Sequence, residues 1–255
     1  MLHLLALNEY TKKDLTKPLN SFDLKGKLNS KVWQNEKVKA AIRKKLVTIA
    51  DDFWEGMALD LDYDDIYFTG SLANFNWSSY SDFDLHLVVD FKKVNKDTSL
   101  VQKYFNEVKA NWNNKHGITI LGFDVELYVQ DKAANAEDGT FISTGVYSLL
   151  DDKWITKPKG FDEEVDKKGL EARAKLYMGE IDELEGAMEK EEYSVFKDRL
   201  DRAWDKIIKG RKAGLVKGGE LSLENLVFKL LRRNGYIEKI IDMKGDSYDR
   251  HLTMK

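Results

Sequence analysis

Cysteine is absent from all 255 residues. That absence removes disulfides, thiolate zinc sites and thiol nucleophiles together, and it fits a reducing, intracellular compartment. Proline occurs twice, at positions 18 and 158, and each marks a break in the chain. No apolar run approaches the eighteen or so residues of a membrane span, and the start, MLHLLALNEYTKKDL, has too short an apolar stretch and no basic lead for a secretory leader. A cytoplasmic protein with no membrane partner is expected. Charge of one sign is also lacking: 41 basic residues face 44 acidic ones, so no global field recruits nucleic acid or an anionic membrane, and any such contact must be local. The four histidines, His3, His86, His116 and His251, are dispersed, with no pair at metal-ligand spacing. No Walker loop and no Gly-x-Ser-x-Gly elbow occurs.

What is present is concentrated in residues 66–90, IYFTGSLANFNWSSYSDFDLHLVVD. A Gly-Ser pair ends one apolar run and an Asp-x-Asp opens the next. Asp82 and Asp84 lie two apart in a stretch with strand character, so their carboxylates emerge on one face and can grip the same cations, while Phe83, Leu85, Leu87 and Val89 take the other. Gly70, lacking Cβ, lets phosphate oxygens approach backbone N–H groups, and Ser71 adds a hydroxyl. His86 follows Asp84 on the same face and could line the site; a histidine satisfying local hydrogen bonds is the plainer alternative. Taken singly, an Asp-x-Asp is most often a solvated turn, and a Gly-Ser pair is weaker still. Their order along the chain is what points to a metal and triphosphate site.

This order resembles the DNA polymerase beta-like nucleotidyltransferase superfamily, whose hallmark is hydrophobic-Gly-Ser, about ten residues, Asp-x-Asp, and a later acid flanked by hydrophobics. The wider chain is similar to predicted nucleotidyltransferase proteins of tailed bacteriophages, through TGSLANFNW, YSDFDLHLVVD, VELYVQD, STGVYS and ENLVFKLLRRNGY. The resemblance implies a third acid on the strand after the intervening helix. Residues 118–130, ITILGFDVELYVQ, supply two candidates, with Leu121, Phe123, Val125, Leu127 and Val129 as the buried face. Asp124 and Glu126 share the other face, but two strand residues span about 6.8 Å, so one alone can meet the metals. Glu126, in Val-Glu-Leu, is the choice; Asp124 also satisfies the pattern. The resemblance further implies two Mg²⁺ (or Mn²⁺) ions held by Asp82, Asp84 and Glu126, with an NTP as substrate and transfer of its NMP to a hydroxyl acceptor: an RNA end, a protein or a small molecule. Related connectors often carry Arg or Lys, and residues 72–81 have neither, although Asn74, Asn76, Trp77 and Tyr80 are suited to touching a nucleotide or to packing. The alternative is a catalytically silent nucleotide-binding protein acting on nucleic acid or a host protein.

The expected fold class is α+β, a mixed-sheet nucleotidyltransferase palm flanked by helices and followed by a helical C-terminal domain, divided as residues 1–160 and 161–255. Helical periodicity covers residues 36–57, through Val38, Ile42, Leu46, Ile49, Phe53 and Met57, and residues 99–115, through Val101, Tyr104, Phe105, Val108 and Trp112. The acidic stretch 60–65 lacks the Gly and terminal Glu of a calcium loop and reads as a solvated turn. Residues 133–140 are small and polar, and residues 145–156 read as a hairpin extending the sheet. Beyond Pro158 and Gly160 everything reads helical, over 161–191 and 192–209, the latter with Val195 among its apolar positions. A basic, glycine-rich loop is expected over 209–220 and a helix from Ser222 to the Asn-Gly at 234 and 235. On that helix Asn225, Lys229, Arg232 and Arg233 form a polar side for phosphate oxygens or a solvated face. Between 197 and 255 there are 15 Lys or Arg against 9 Asp or Glu, a local excess of six positive charges. In the resembled superfamily a helical domain commonly closes the nucleotide cleft, so these bases are expected to meet the triphosphate or the acceptor.

Overall fold

The computed structural model describes residues 14–133, 145–161 and 164–254. His3, most of the small polar stretch 133–140 and the start of STGVYS lie outside them. The chain forms two units, one of Ser21–Glu164 and one of Met1–Asn20 with Val165–Lys255. Helix α1 (Thr16–Asn20) belongs with the C-terminal helices.

The first unit is α+β. It opens with a two-stranded hairpin, β1 (Trp33–Gln34) and β2 (Lys37–Val38), followed by α2 (Ala40–Glu55). Residues 36–39 are therefore not helical: Asn35 and Glu36 both take positive φ, the left-handed pair that closes a two-residue hairpin. The remaining elements are β3 (Asp65–Thr69), β4 (Phe83–Val89), α3 (Phe91–Val94), α4 (Thr98–Lys115), β5 (Thr119–Ile120), β6 (Phe123–Asp131), β7 (Val146–Ser148) and β8 (Lys153–Thr156). Six strands form a mixed sheet in the order β5-β6-β4-β3-β7-β8. Among the described residues, only β4 and β6 pair in parallel, because the helical crossover α3–α4 joins them; the other pairs are antiparallel.

One sheet face is apolar throughout. Ile66, Phe68, Phe83, Leu85, Leu87 and Leu127 are completely buried, and α2 adds Leu46, Ile49 and Phe53. Trp33 stacks between Phe68 and Trp154, at 5.5 and 4.6 Å, and meets Tyr147 edge-on. Two apolar expectations fail here. Leu121 is exposed, because residues 118–130 do not form one strand: Leu121 and Gly122, both at positive φ, turn β5 into β6. Tyr104 is likewise exposed on α4, whose buried residues are Val101 and Phe105.

The second unit contains α1, α5 (Lys167–Ala187), α6 (Tyr193–Gly218), α7 (Leu223–Arg233) and α8 (Tyr236–Leu252). The expected loop over 209–220 is instead the last turns of α6 and a short 3-10 turn, Gly219–Leu221. Gly214 there serves close packing. A Cβ on Gly214 would lie 2.8 Å from Ser222 Oγ and 3.0 Å from Glu224 Cβ, so the start of α7 can sit against α6 only where the side chain is missing. Ser222 precedes α7, yet its hydroxyl makes no capping bond. Val195 is exposed rather than buried. Among the described residues, no helix is long and apolar enough to cross a membrane.

Candidate metal centre

Strand alternation sets the site. With Phe83, Leu85 and Leu87 turned into the core, Asp82, Asp84 and His86 fall on the other face of β4 or just before it. The parallel register with β6 pairs Asp84 with Glu126 and His86 with Tyr128. Consequently Asp82, Asp84 and Glu126 each offer a carboxylate oxygen, and the three oxygens lie within 4.8 Å of one another. Among the described residues this is the one such cluster of three metal-ligating side chains. All three are half-buried. Asp124, the other candidate for the third acid, is exposed and pairs with Thr119 at the β5 end of the sheet. The acidic stretch 60–65 forms no such cluster.

Gly70 ends β3 directly against this group, since its neighbour Thr69 pairs with Asp84. Its backbone takes φ +74° and ψ −167°, a region essentially restricted to glycine. A Cβ there would lie 1.8 Å from Asp84 Oδ2. The missing side chain is thus the space that the Asp84 carboxylate occupies. Ser71 then begins a short 3-10 turn, Ser71–Ala73, held by Trp33 Nε1 donating to the Leu72 carbonyl at 2.7 Å. The Ser71 and Ser81 hydroxyls are hydrogen-bonded at 2.6 Å, which ties the two ends of the connector together. Within the connector, Asn74 is fully buried, and Trp77 packs against the core while its Nε1 donates to the Lys27 carbonyl.

A second row of polar side chains lies one residue pair along. The Tyr128 hydroxyl donates to Glu126 Oε2. Burial, with Asp84 and Glu126 beside it, pushes this phenol well above its ordinary value and keeps it a donor. His86 stacks on Tyr128 at 4.7 Å, and its Nδ1 lies 3.1 Å from Gln130 Oε1. Burial pushes the His86 imidazole down to about 4, so it is neutral near pH 7 and sits in the wall as a hydrogen-bonded ring.

Lys109 escaped the sequence reading. It projects from α4, half-buried, with its ammonium 4.2 Å from the centre of the Tyr128 ring. Burial lowers its pKa, while Glu126 and Asp84 act in the opposite direction. One turn further on, Asn113 accepts from the Leu127 N–H and donates to the Leu127 carbonyl, both at 3.2 Å, in the manner of a strand partner. This clamp fixes α4 along β6 and so fixes Lys109 beside the acids. A polar residue on a helix face gives no periodic signal, and nothing in the spacing marks Lys109.

The bases expected to meet phosphate belong to the helical unit. Lys229 is ion-paired there with Glu220 at 2.5 Å. Asn225 is fully buried, accepting from Arg211 Nε and donating to the Glu220 carbonyl, so it is no part of a solvated or ligand-binding face. Arg232 is exposed and Arg233 half-buried. Compared with family models, curated proteins and solved structures, the chain matches none.

Proposed function

We propose that this protein is a metal-dependent nucleotidyltransferase of the polymerase beta-like kind, moving an NMP from an NTP to a hydroxyl acceptor with release of pyrophosphate. The observation that carries the reading is the convergence of Asp82, Asp84 and Glu126 within 4.8 Å, hard against a glycine whose Cβ would expel Asp84. Three clustered carboxylates are a hard-oxygen donor set suited to Mg²⁺ or Mn²⁺. When bound there, such ions would neutralise triphosphate charge and polarise the reacting oxygens.

The chain's own residues supply the remainder. In this reading the phosphates would lie beside Gly70, which has no side chain of its own, and the Ser71 hydroxyl. Tyr128 holds one oxygen of Glu126, which orients the carboxylate toward Asp82 and Asp84. Glu126 is then placed to accept a proton from an acceptor hydroxyl. Catalysis in this reading is mostly positioning and charge neutralisation. Within the helical unit, Lys229 is engaged by Glu220.

The test incubates the purified protein with each α-³²P-labelled NTP, Mg²⁺ or Mn²⁺ and a cell extract, alongside the Asp82→Asn/Asp84→Asn double variant. Label transferred to RNA, protein or a small product by the wild type alone supports the reading and names the acceptor class. Binding of NTP without transfer would instead assign a nucleotide-binding protein.

A further inference from the structure

In-line displacement requires the attacking and leaving oxygens to approach the α-phosphorus from opposite sides. The sheet supplies two distinct flanks for them. Gly70 and Ser71 close β3 on one side of the carboxylates, Glu126 stands on β6 at the other, and β4 with Asp82 and Asp84 runs between. A triphosphate cradled at Gly70 and Ser71 leaves the β6 flank for the acceptor. That flank carries Lys109, seated over Tyr128 and held by the Asn113 clamp one turn away. A lysine so placed is a point charge suited to a phosphate, and it stands where an acceptor, not the triphosphate, would arrive.

We infer that Lys109 is an acceptor-binding residue and that the acceptor is a phosphate-bearing molecule whose hydroxyl lies close to that phosphate. This rests on the nucleotidyltransferase reading above. It goes beyond it by excluding uncharged sugars and unmodified protein hydroxyls as preferred acceptors. An RNA end, a free nucleotide and a sugar phosphate share the required chemistry. A half-buried ammonium beside carboxylates could also serve solely as their counter-ion, and the two roles differ in what loss of the charge does. A counter-ion affects whatever binds the carboxylates; an acceptor contact affects only the acceptor.

The experiment separates these by binding, without turnover. Wild type, Lys109→Gln, Lys109→Arg and Asp84→Asn are first titrated with an α,β-methylene NTP analogue and Mg²⁺. The analogue-loaded proteins are then titrated calorimetrically with hexaadenylate, AMP, ribose 5-phosphate and adenosine. At least one phosphate-bearing probe is expected to bind loaded wild type, with adenosine much weaker. Lys109→Gln should weaken that probe by about tenfold, the loss of one charge-assisted contact, while changing analogue affinity less than about twofold. Lys109→Arg should restore most of the probe affinity. Which probe binds identifies the source of the phosphate. Equal weakening of analogue and probe by Lys109→Gln, unchanged probe affinity, or no phosphate-bearing probe bound by loaded wild type would each overturn the inference alone. Failure of the analogue to bind, or binding that survives Asp84→Asn, would overturn the nucleotidyltransferase reading and this inference with it. Thermal melts of each variant establish that the proteins compared are folded.

Discussion

Replacing Gly70 with alanine puts the geometry of the acidic cluster to a direct test. The new Cβ would stand 1.8 Å from Asp84 Oδ2 and 2.7 Å from its Cγ, where real Cβ contacts essentially never fall below 3.0 Å. The carboxylate must therefore retreat by about 1.2 Å or the strand end must move, and functional constellations tolerate displacements of only about 0.5 Å. The backbone adds its own cost of about 1–3 kcal/mol, because φ +74° with ψ −167° is a region that alanine avoids. Gly235→Ala separates the two effects. Gly235 also has positive φ, +78°, but nothing lies within 4 Å of its Cβ position, so only strain of about 1–2 kcal/mol is expected. Both variants should lose stability in urea titrations, Gly70→Ala by more because its Cβ also meets Asp84. Only Gly70→Ala should lose Mn²⁺ affinity, measured by the electron paramagnetic resonance signal of free Mn²⁺, by at least about 10- to 100-fold, the loss typical when even an outer partner of a metal site is removed. A folded Gly70→Ala protein with wild-type Mn²⁺ affinity would refute the placement of Asp84 in a metal centre.

Two further outcomes follow from packing and titration. Gly214→Ala should destabilise the helical unit by about 1 kcal/mol despite better helix propensity, because its Cβ meets Ser222 and Glu224, whereas Gly245→Ala in α8, with nothing within 4 Å, should stabilise by about 0.5–1 kcal/mol; urea midpoints decide both. His86 titrates near 4 in the folded protein and near 6.5 unfolded, so the unfolded state binds more protons between those values and stability must fall as pH drops through that window. Up to about 3 kcal/mol is at stake, all of it retained above pH 6.5. In His86→Gln the slope of unfolding free energy against pH from 6.5 to 4 should flatten; an unchanged slope would assign it to other groups.

The acidic cluster was legible because a half-buried strand exposes every second residue, and an Asp-x-Asp interleaved with Phe83, Leu85 and Leu87 has one arrangement that keeps the apolar side chains dry. The mixed character of the sheet and its terminal hairpin were legible for the same reason, though not its six strands. Alternation alone left Asp124 and Glu126 equivalent, and the parallel register of β6 on β4 separates them by pairing Glu126 with Asp84. Register is a property of two strands and is written in neither. The errors share a cause of that kind. Leu121 fits an alternating pattern perfectly well until a positive-φ turn interrupts it, and Gly214 resembles part of a loop until a second helix is seen to need its bare surface. Asn225 falls on the polar side by helical offset, yet it is buried by partners from α6 and the turn before α7.

Three carboxylates with oxygens within 4.8 Å carry an electrostatic cost that the fold only partly offsets through the Tyr128 hydroxyl. Each pair at that distance repels by roughly 1–3 kcal/mol between fully solvated and protein-like screening. A cluster so assembled is under tension in the absence of a cation, which gives Glu126→Gln an unusual signature. The amide oxygen can still accept from Tyr128, while two of the three repulsive pairs vanish, so the metal-free variant should melt at or above the wild-type temperature. Most substitutions of a half-buried, hydrogen-bonded residue do the reverse. Saturating Mn²⁺ should invert the order: at a hundred times its dissociation constant the ion adds about 2.7 kcal/mol to the wild type, and the weakened site gains much less. Differential scanning calorimetry of both proteins with EDTA and with Mn²⁺ reads both signs. A Glu126→Gln protein less stable than wild type in EDTA, or equally stabilised by Mn²⁺, would mean that the carboxylates serve the fold rather than a cation.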